Sequence, residues 1–314
     1  MASLYLYTPS SFEDVLKIKN PYKQLRELVS STEYVEHPKY KEILRKRVAE
    51  CLFDDDEFFE LFTYIKDKQD QTGIRRHCNR NCTVHTVRSA MLGKYFFDMP
   101  RSTIEVALGH DILEYVLKWY EAELKREECN INEERRIGIC TETANEMREK
   151  FDWKYTYKII QISKLDANED YSIYINRLLE YPDLVGAKTL DSIDNICTMR
   201  FLHPWDTVRF MKKRRQFLDA ICEKTDMLSS RSDIRKAVKS MIDVGILYLS
   251  INIHNTEIES FDPLTRTYNF EYGDKRPGNN NTYLEELREE FAEWSRANVT
   301  FRRILEPELD LKHS

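Results

Sequence analysis

One stretch of the chain, residues 104–114, places a histidine next to an aspartate within an otherwise apolar run, Ile-Glu-Val-Ala-Leu-Gly-His-Asp-Ile-Leu-Glu. The apolar spacing predicts a helix, on which neighbouring side chains point about 100° apart. Burying His110 and Asp111 without a partner would cost several kcal/mol, the usual penalty for unpaired polar groups. The pair therefore predicts that another polar group, or an ion, meets it in the folded protein.

The scarcity of glycine and proline favours a helical fold. The 314 residues include 8 glycines and 9 prolines. Each is about 3% of the chain, below the roughly 7% and 5% of average proteins, so few residues are left for tight turns. Charged residues (32%) and hydrophobic residues (41%) occur in a balance that suits amphipathic helices. We therefore expect an all-α protein with compact connections and a sizeable core, and not a disordered chain.

Charge, hydropathy and cysteine content restrict the partners and the compartment. The net charge of −6 gives no general reason to expect nucleic acid or an anionic membrane as a partner. No apolar run approaches the roughly 20 residues that span a bilayer, and residues 1–7 lack the features of a signal peptide. The 7 cysteines are scattered, which is typical of reduced thiols, so we expect a cytoplasmic protein.

Helical periodicity divides most of the chain into amphipathic segments. Ser102 to Glu105 has the form of a capping box, and the helix that it begins should continue through His110 to about Lys125. The other predicted helices cover residues 38–52, 55–68, 84–97, 142–151, 155–164, 168–181, 183–199, 204–227, 233–251 and 283–297. Mixed, loop-like or strand-like content is predicted for residues 1–35, 69–83, 126–136 and 252–282.

Residue types that bind metals occur in separate predicted helices. His85 begins one helix, His110 and Asp111 lie in the next, and Asp191 and Asp194 lie in a later one. Imidazoles and carboxylates from different helices suit a Mn²⁺, Fe²⁺, Mg²⁺ or Zn²⁺ ion with open positions for water. These residue types therefore predict a site for one divalent metal.

The same residues resemble the HD-domain phosphohydrolases, and within them the hydrolase domain of the RelA/SpoT group, which degrades the alarmone (p)ppGpp. The likeness covers roughly residues 55–225 and rests on motifs that follow in the family's order. The first motif is a histidine that opens a helix after a basic loop (Val84-His85-Thr86-Val87), and the second is an apolar run into His-Asp-x-x-Glu (Ala107 to Glu114). The third is a Lys-x-x-Asp-x-x-x-Asn pattern (Lys188, Asp191, Asn195). The likeness continues through Thr198-Met199-Arg200 and the basic run Lys212 to Arg215.

The resemblance implies a role for each matching residue. The implied ligands of one divalent metal, with Mn²⁺ the expected ion, are His85, His110, Asp111 and Asp191. Glu114 would orient or deprotonate a water on that metal, because a divalent ion lowers the pKa of its water and a nearby carboxylate accepts the proton. Asn195 is expected to act with Glu114 in catalysis and to contact the nucleotide. The implied substrate-binding residues are Arg75, Arg76, Lys188 and Asn195.

The chain departs from the family pattern at positions that bear on the substrate. The ppGpp hydrolases carry Glu-Asp in the second motif, whereas this chain has Glu114-Tyr115 and so lacks one catalytic carboxylate. The family's Arg-Leu-His after the third-motif aspartate is Ser192-Ile193-Asp194 here, and its Tyr-Ile-x-His-Pro is Cys82-Thr83-Val84-His85-Thr86. The alternative function is therefore a catalytically silent HD module that binds a nucleotide or a protein partner as a regulator or effector.

Simpler interpretations of these residues stay open beside the functional ones. His110 and Asp111 could form a satisfied buried pair, His85 could cap a helix, and Asp194 competes with Asp191 as a ligand. The residue types of a zinc knuckle, at irregular spacing, are present in His77, Cys78, Cys82 and His85. The run 212–215 is either a solvated helical face or a phosphate clamp. The tyrosines that either pack or stack on a base are Tyr171, Tyr174 and Tyr181.

Together, the patterns and the resemblance predict an all-α HD-domain bundle with extensions at both ends. We expect a helical lead-in at residues 1–50, a phosphohydrolase-like domain at 51–225, and a helical extension at 226–314 with a surface loop near 260–282. The expected activity is metal-dependent hydrolysis of a nucleotide, most specifically a (p)ppGpp 3′-pyrophosphohydrolase-like activity. The expected partner is a nucleotide, without a membrane or sequence-specific nucleic acid, and a homo-oligomer is left open.

Overall fold

The described part of the chain is helical throughout. The structure, a computed structural model, describes residues 11–74, 81–126, 133–166, 169–198 and 204–261. Within these ranges the regular elements are α-helices and a 3₁₀ turn at Glu33–Glu36, so the predicted all-α class is confirmed. The helices are α1 (Phe12–Leu16), α2 (Pro21–Leu28), α3 (Tyr40–Cys51), α4 (Asp56–Thr72), α5 (Cys82–Phe96), α6 (Arg101–Gly109), α7 (Ile112–Arg126), α8 (Glu133–Lys150), α9 (Trp153–Ile162), α10 (Tyr171–Leu178), α11 (Pro182–Thr198), α12 (Pro204–Cys222), α13 (Thr225–Ser230) and α14 (Ser232–Phe261).

Short polar residues begin several of these helices. The Asn20 side chain accepts a hydrogen bond from the Lys23 amide (2.9 Å), and Pro21 follows at the first helical position of α2. Asp55 accepts from the Phe58 amide (2.7 Å) at the start of α4. Such caps satisfy amide groups that have no partner within the helix, so the local sequence sets these helix starts.

The chain divides into two compact units, residues 1–169 and residues 170–314. The first unit contains α1 to α9 and the second contains α10 to α14. Residues 51–225, which the sequence assigns to a single domain, therefore contribute to both units. The predicted division at residues 50 and 225 stays a prediction.

The core of the first unit is built from the apolar faces of its central helices. α5 packs against α6, α4 against α7, and α9 against both α6 and α8. The most deeply buried large side chains include Phe58, Phe62, Ile65, Ile104, Leu108, Ile112 and Leu113. Burying each one contributes about 1.5–3 kcal/mol relative to exposure. This core surrounds the segment that carries His110 and Asp111.

The second unit is organised around α11, which packs along α14. The buried side chains of α11 recur at helical spacing and include Leu184, Val185, Leu190 and Ile193, and those of α14 include Ile234, Val238 and Met241. α10 packs against α12 in the same unit. The face of α11 that carries Lys188, Asp191 and Asn195 is thus held on a helix with an extensive packing partner.

Residues 110 and 111 interrupt what the sequence predicts as one helix. α6 ends at Gly109 and α7 begins at Ile112, so the prediction of a continuous helix to about residue 125 is wrong. The hydroxyl oxygen of Ser163, the residue after the end of α9, lies 3.4 Å from the carbonyl oxygen of His110. Packing of α9 against this turn favours two helices over one, and places the His-Asp pair at their junction.

The start of α6 also differs from the sequence prediction. The helix begins at Arg101, with Pro100 as its N-cap residue and no side-chain cap, so the predicted capping box is wrong. Glu105 instead accepts a hydrogen bond from the Arg101 guanidinium (2.6 Å). The same guanidinium donates to the Asp55 carboxylate of α4, with distances of 3.0 and 3.1 Å. Charge pairing with a neighbouring helix replaces the local cap.

Two segments predicted as irregular are partly helical. α8 begins at Glu133, inside the predicted linker 126–136. Its charged residues are good helix formers, and Arg136 donates to Glu121 of α7 (2.7 Å), which gives this polar start a tertiary contact. α14 continues to Phe261, so the expectation of strand or loop is wrong for residues 252–261. The remainder of that segment and the predicted helix 283–297 lie outside the described residues.

The ends of α4 and α12 differ by a few residues from the ends that the sequence predicts. α4 continues to Thr72 and ends at Gly73, whose positive φ of 60° forms a left-handed C-cap that glycine adopts easily. α12 ends at Cys222, short of the predicted end near residue 227, and the short helix α13 follows. The other predicted helices in the described ranges are confirmed to within a few residues at each end.

The described helices and cysteines bear on the predictions about membrane spans and reduced thiols. Among the described helices, none combines the length and the apolar character that a bilayer span requires. The described cysteines, Cys51, Cys82, Cys140, Cys197 and Cys222, are free thiols, as the sequence predicts.

Candidate metal centre

His85 lies near the beginning of α5, which polar contacts fix against α4. The Asn81 side chain accepts a hydrogen bond from the Thr83 amide (3.2 Å) and so caps the helix. Asp70 of α4 accepts from the Asn81 side-chain amide (2.5 Å) and from the Thr83 hydroxyl (3.3 Å). These contacts hold the first turn of α5 in place, and His85 is only 2% exposed.

A buried ion pair in turn holds Asp70. The Lys66 ammonium donates to the Asp70 carboxylate and lies 5.4 Å from the centre of the Tyr40 ring. Burial by itself lowers the pKa of Lys66, but Tyr40 and Asp70 raise it, and the pKa lies above its ordinary value. A lysine four residues before an aspartate is usually an exposed helical pair, so the sequence did not indicate that Lys66 is 2% exposed.

His110 and Asp111 lie at the junction of α6 and α7. Nδ1 of His110 donates to the Ala107 carbonyl oxygen (2.8 Å), and the side chain is 3% exposed. In a neutral imidazole this bond leaves a lone pair on Nε2, the arrangement that metal-binding histidines commonly use. The Asp111 side chain is 19% exposed and is the most accessible of the predicted ligands in the first unit.

The first unit brings three of the predicted ligands together. Nε2 of His85 lies 3.2 Å from Nε2 of His110, which lies 3.2 Å from Oδ1 of Asp111. Nε2 of His85 lies 3.8 Å from Oδ2 of Asp111. A metal about 2.1 Å from each ligand atom holds neighbouring ligand atoms roughly 3 Å apart. The separations are therefore those that a single divalent ion needs.

Glu114 lies on the first turn of α7 after the His-Asp pair. One carboxylate oxygen accepts a hydrogen bond from the Lys164 amide (3.0 Å), and the other lies 3.8 Å from the Lys118 ammonium. The side chain is 26% exposed. One oxygen is thus anchored to the backbone while the group keeps access to solvent, and the predicted catalytic role of Glu114 stays a prediction.

Tyr115, at the position where the ppGpp hydrolases that the sequence resembles carry an acid, is a packed aromatic residue. The residue is 8% exposed, and the Lys118 ammonium lies 5.4 Å from its ring centre. Such a contact between a cation and a ring is favourable and keeps the ring in a fixed environment. Position 115 therefore contributes packing here, where the family has a carboxylate.

The third-motif residues come together on α11 in the second unit. The Lys188 ammonium donates to Oδ2 of Asp191 (2.7 Å), and the Asn195 amide donates to Oδ1. Burial by itself lowers the pKa of Lys188, but Asp191 and Tyr174 raise it, so the pKa lies well above its ordinary value. Asp191 and Asp194 are both 3% exposed. The predicted ligand role of Asp191, and its competition with Asp194, stay predictions.

The basic run of α12 is not a uniform solvated face. Arg214 is 8% exposed, and its guanidinium lies 3.6 Å from the Phe210 ring centre. The Lys213 ammonium lies 5.7 Å from the Tyr171 ring centre, and that ring stacks on Tyr174 at 5.7 Å. The interpretation as a wholly solvated face is therefore wrong for Arg214, and Tyr174, at 2% exposure, is a packing residue.

Several predicted residues lie outside the described part of the chain, namely Arg75, Arg76, His77 and Cys78. The zinc-knuckle alternative therefore stays a prediction. Its third member, Cys82, is buried, and its thiol donates toward the Gln69 carbonyl oxygen at 3.9 Å. Burial raises the pKa of this thiol to about 12.

The sequence patterns do not indicate the residues that pack behind the candidate site. They are the Lys66–Asp70 pair under α5 and the contacts of Tyr155, Ser163 and Lys164 with residues 109–114. The one available signal was Gly109, an isolated glycine inside an apolar helical run, which often marks a close approach.

Comparisons with known proteins give no family assignment. Neither a family model, nor a curated protein, nor a solved structure matches this chain.

Proposed function

We propose that this protein is a metal-dependent phosphohydrolase that acts on a nucleotide. The observation that carries the proposal is the convergence of Nε2 of His85, Nε2 of His110 and the Asp111 carboxylate, all within 4.8 Å of one another. Two imidazoles and a carboxylate suit Mn²⁺, Fe²⁺ or Zn²⁺, and we propose Mn²⁺. Asp191 is proposed as a fourth ligand on the basis of the third motif.

Each side chain has a distinct task in the proposed reaction. A bound divalent ion supplies a water of lowered pKa and neutralises charge on the phosphate. The Ala107 carbonyl holds His110 in one tautomer, which would leave the lone pair of Nε2 available to hold the ion. Glu114 accepts the proton from the attacking water, while its bond to the Lys164 amide fixes the orientation of the carboxylate. Asn195 is proposed to act with it and to contact the nucleotide.

The most specific form of the proposal is a (p)ppGpp 3′-pyrophosphohydrolase-like activity. It is supported by the order of the motifs around His85, His110-Asp111 and Asp191. Lys188 is proposed to contact the nucleotide phosphates, as are Arg75 and Arg76. A nucleotide of another kind is the next proposal within the same reaction class.

A silent module is the second candidate, and Tyr115 is the observation that favours it. Where the ppGpp hydrolases carry a catalytic acid, this chain has a buried tyrosine ring that packs beside the Lys118 ammonium. In that case, the metal site would hold a nucleotide or organise a surface for a partner protein, without turnover. Retention of His85, His110, Asp111 and Glu114 favours the enzyme.

Metal analysis tests the site. We expect purified protein to carry about one equivalent of Mn, Fe or Zn after dialysis, measured by elemental mass spectrometry. Asp111→Ala should lose most of it, because one ligand is removed from a small set. Asp56→Ala is the matched control, since that carboxylate is 90% exposed in the same unit. Unchanged metal content in Asp111→Ala would contradict the site.

A substrate panel tests the reaction. With Mn²⁺ added, we expect phosphate or pyrophosphate release from at least one member of a panel of ppGpp, deoxynucleoside triphosphates, nucleoside monophosphates and cyclic nucleotides. Glu114→Gln should keep the metal and lose turnover by roughly 10²–10⁴-fold, the usual contribution of a general base. A metal-loaded protein that leaves the whole panel intact would favour the silent module.

A further inference from the structure

α9 packs directly against the junction that carries the metal ligands. Tyr155 and Ile159 lie four residues apart on one face of α9, and Ser163 is the residue directly after the helix. All three are buried, and α9 contacts both α6 and α7. The helix therefore presents one continuous buried face to the segment that contains His110 and Asp111.

Gly109, the residue before His110, is a point of close approach between α6 and α9. A Cβ atom added at this position would lie 2.1 Å from the Tyr155 hydroxyl oxygen and 3.0 Å from Cδ1 of Ile159. The Tyr155 hydroxyl is buried and makes no hydrogen bond with any other described residue. The backbone before His110 is thus pressed against α9 so closely that only glycine fits.

The two residues that follow α9, Ser163 and Lys164, contact the two ends of the turn between residues 110 and 114. The Ser163 hydroxyl donates to the Ile159 carbonyl (2.8 Å) and lies 3.4 Å from the His110 carbonyl oxygen. The Lys164 amide donates to the Glu114 carboxylate (3.0 Å). Residues 163 and 164 therefore contact the turn from residue 110 to residue 114 at its first carbonyl and hold it at its last side chain.

We propose that α9 is a positioning element for the metal site, with Tyr155 and Ser163 as positioning residues that act through Gly109 and His110. This inference rests on the proposed function, because it concerns the geometry of the same ligands. Tyr155 sets the position of the backbone before His110, and Ser163 sets the direction of the His110 carbonyl. Displacing either one moves the imidazole relative to His85 without removing a ligand.

Two variants test the contact at Gly109: one introduces a clash with Tyr155, and the other also removes the Tyr155 hydroxyl. Gly109→Ala should weaken Mn²⁺ binding roughly 100-fold, at the upper end of the effect of groups that orient ligands. The double variant Gly109→Ala with Tyr155→Phe removes the atom at 2.1 Å and leaves Ile159 at 3.0 Å and the ring carbon at 3.3 Å. It should recover most of the affinity, which a mere change in helix propensity at residue 109 would not explain.

A milder variant keeps the test valid where Gly109→Ala does not fold. Ser163→Ala should weaken Mn²⁺ binding roughly tenfold while the metal-free protein keeps its helical circular dichroism. Ser163→Thr retains the hydroxyl and should rescue binding. The control is Thr156→Val. This substitution removes a hydroxyl of α9 that donates to the Asp152 carbonyl (3.1 Å) and not to the turn at residues 110–114.

Calorimetric titration of Mn²⁺ into the full chain separates the outcomes. If the wild-type protein binds no Mn²⁺, the proposed function fails before the inference is reached. If the wild-type protein binds and Ser163→Ala and Thr156→Val bind equally well, the inference is overturned and the proposed function stands. Tighter binding by wild type and Ser163→Thr than by Ser163→Ala supports the positioning role.

Discussion

Cys51 and Cys82 are fully buried thiols whose reactivity the structure predicts. Burial raises the pKa of Cys51 to about 11 and that of Cys82 to about 12. At pH 8 the thiolate fraction is then about one part in a thousand or less, and it rises as the pH approaches the raised pKa. We expect iodoacetamide to label both cysteines much more slowly than Cys140 and Cys197, as measured by peptide mass spectrometry.

The control for this prediction is the same labelling in concentrated urea, where all the thiols should react at similar rates. Equal labelling of Cys51 and Cys140 in the native protein would contradict the burial of Cys51.

The Lys66–Asp70 pair is the second residue-scale feature with a measurable consequence. Asp70→Asn leaves the Lys66 charge buried without its carboxylate and weakens the bonds to Asn81 and Thr83. We expect the free energy of unfolding in urea to fall by roughly 3 kcal/mol, the usual cost of breaking one side of a buried ion pair. A loss under about 1 kcal/mol would contradict the buried pair.

Lys66→Met is the informative comparison. It removes the charge but keeps an apolar stem of similar length beside Tyr40, so the cost should be smaller than for Asp70→Asn. Since Asp70 still accepts from Asn81 and Thr83, its carboxylate stays partly satisfied.

The clustering of the proposed ligand residues could be predicted from the sequence, whereas the residues that support them could not. His85, His110 and Asp111 are rare chemical types inside apolar runs, so their presence is a strong signal, and the structure places them together. Lys66, Ser163 and Tyr155 are common residue types, and their contacts span up to 53 positions of chain. Single-sequence patterns carry no information about such long-range pairs.

At the scale of elements, Asp55 connects two helices through one carboxylate. It caps α4 by accepting from the Phe58 amide (2.7 Å), and it also accepts from Arg101 at the start of α6. Asp55→Ala should therefore lower the free energy of unfolding by about 1–2 kcal/mol, mainly through the lost cap. Urea denaturation followed by circular dichroism measures this difference.

The neighbouring carboxylate is the matched control. Asp56 is 90% exposed and pairs with Arg45 at the surface, so Asp56→Ala should cost about 0.5 kcal/mol or less. Equal effects of the two substitutions would show that the cap and the Arg101 contact contribute nothing specific.

The helices themselves were predictable because each one buries a periodic apolar face. Their ends were less so, and the errors have physical causes. The break at residues 110–111 comes with a tertiary contact to Ser163, and the start of α6 depends on pairing with Asp55 of another helix. Such contacts override the local propensity that a sequence pattern measures.

At the scale of the whole molecule, the division at residues 169 and 170 predicts an independent folding unit. A fragment of residues 1–169 contains α1 to α9 and the proposed ligands His85, His110 and Asp111. We expect it to be helical by circular dichroism and to unfold cooperatively on heating, since it has its own hydrophobic core. A fragment without a cooperative transition would contradict this expectation.

The fragment also tests the fourth ligand. If Asp191 binds the ion as proposed, the fragment and full-length Asp191→Ala should both bind Mn²⁺ more weakly than the full chain, and by similar factors. Equal affinity of the full chain and Asp191→Ala would remove Asp191 from the ligand set and leave the three residues of the first unit.

The packing of α9 against residues 109–114 has a consequence for the order of events during synthesis of the protein. His85, His110 and Asp111 leave the ribosome before Ser163 and Lys164, which hold the turn between residues 110 and 114. A nascent chain that ends before residue 163 therefore carries the three proposed ligands of the first unit without these contacts. If the proposed site binds an ion, full affinity would therefore arise only after α9 has left the ribosome and packed against residues 109–114, and metal capture would be a late step of maturation.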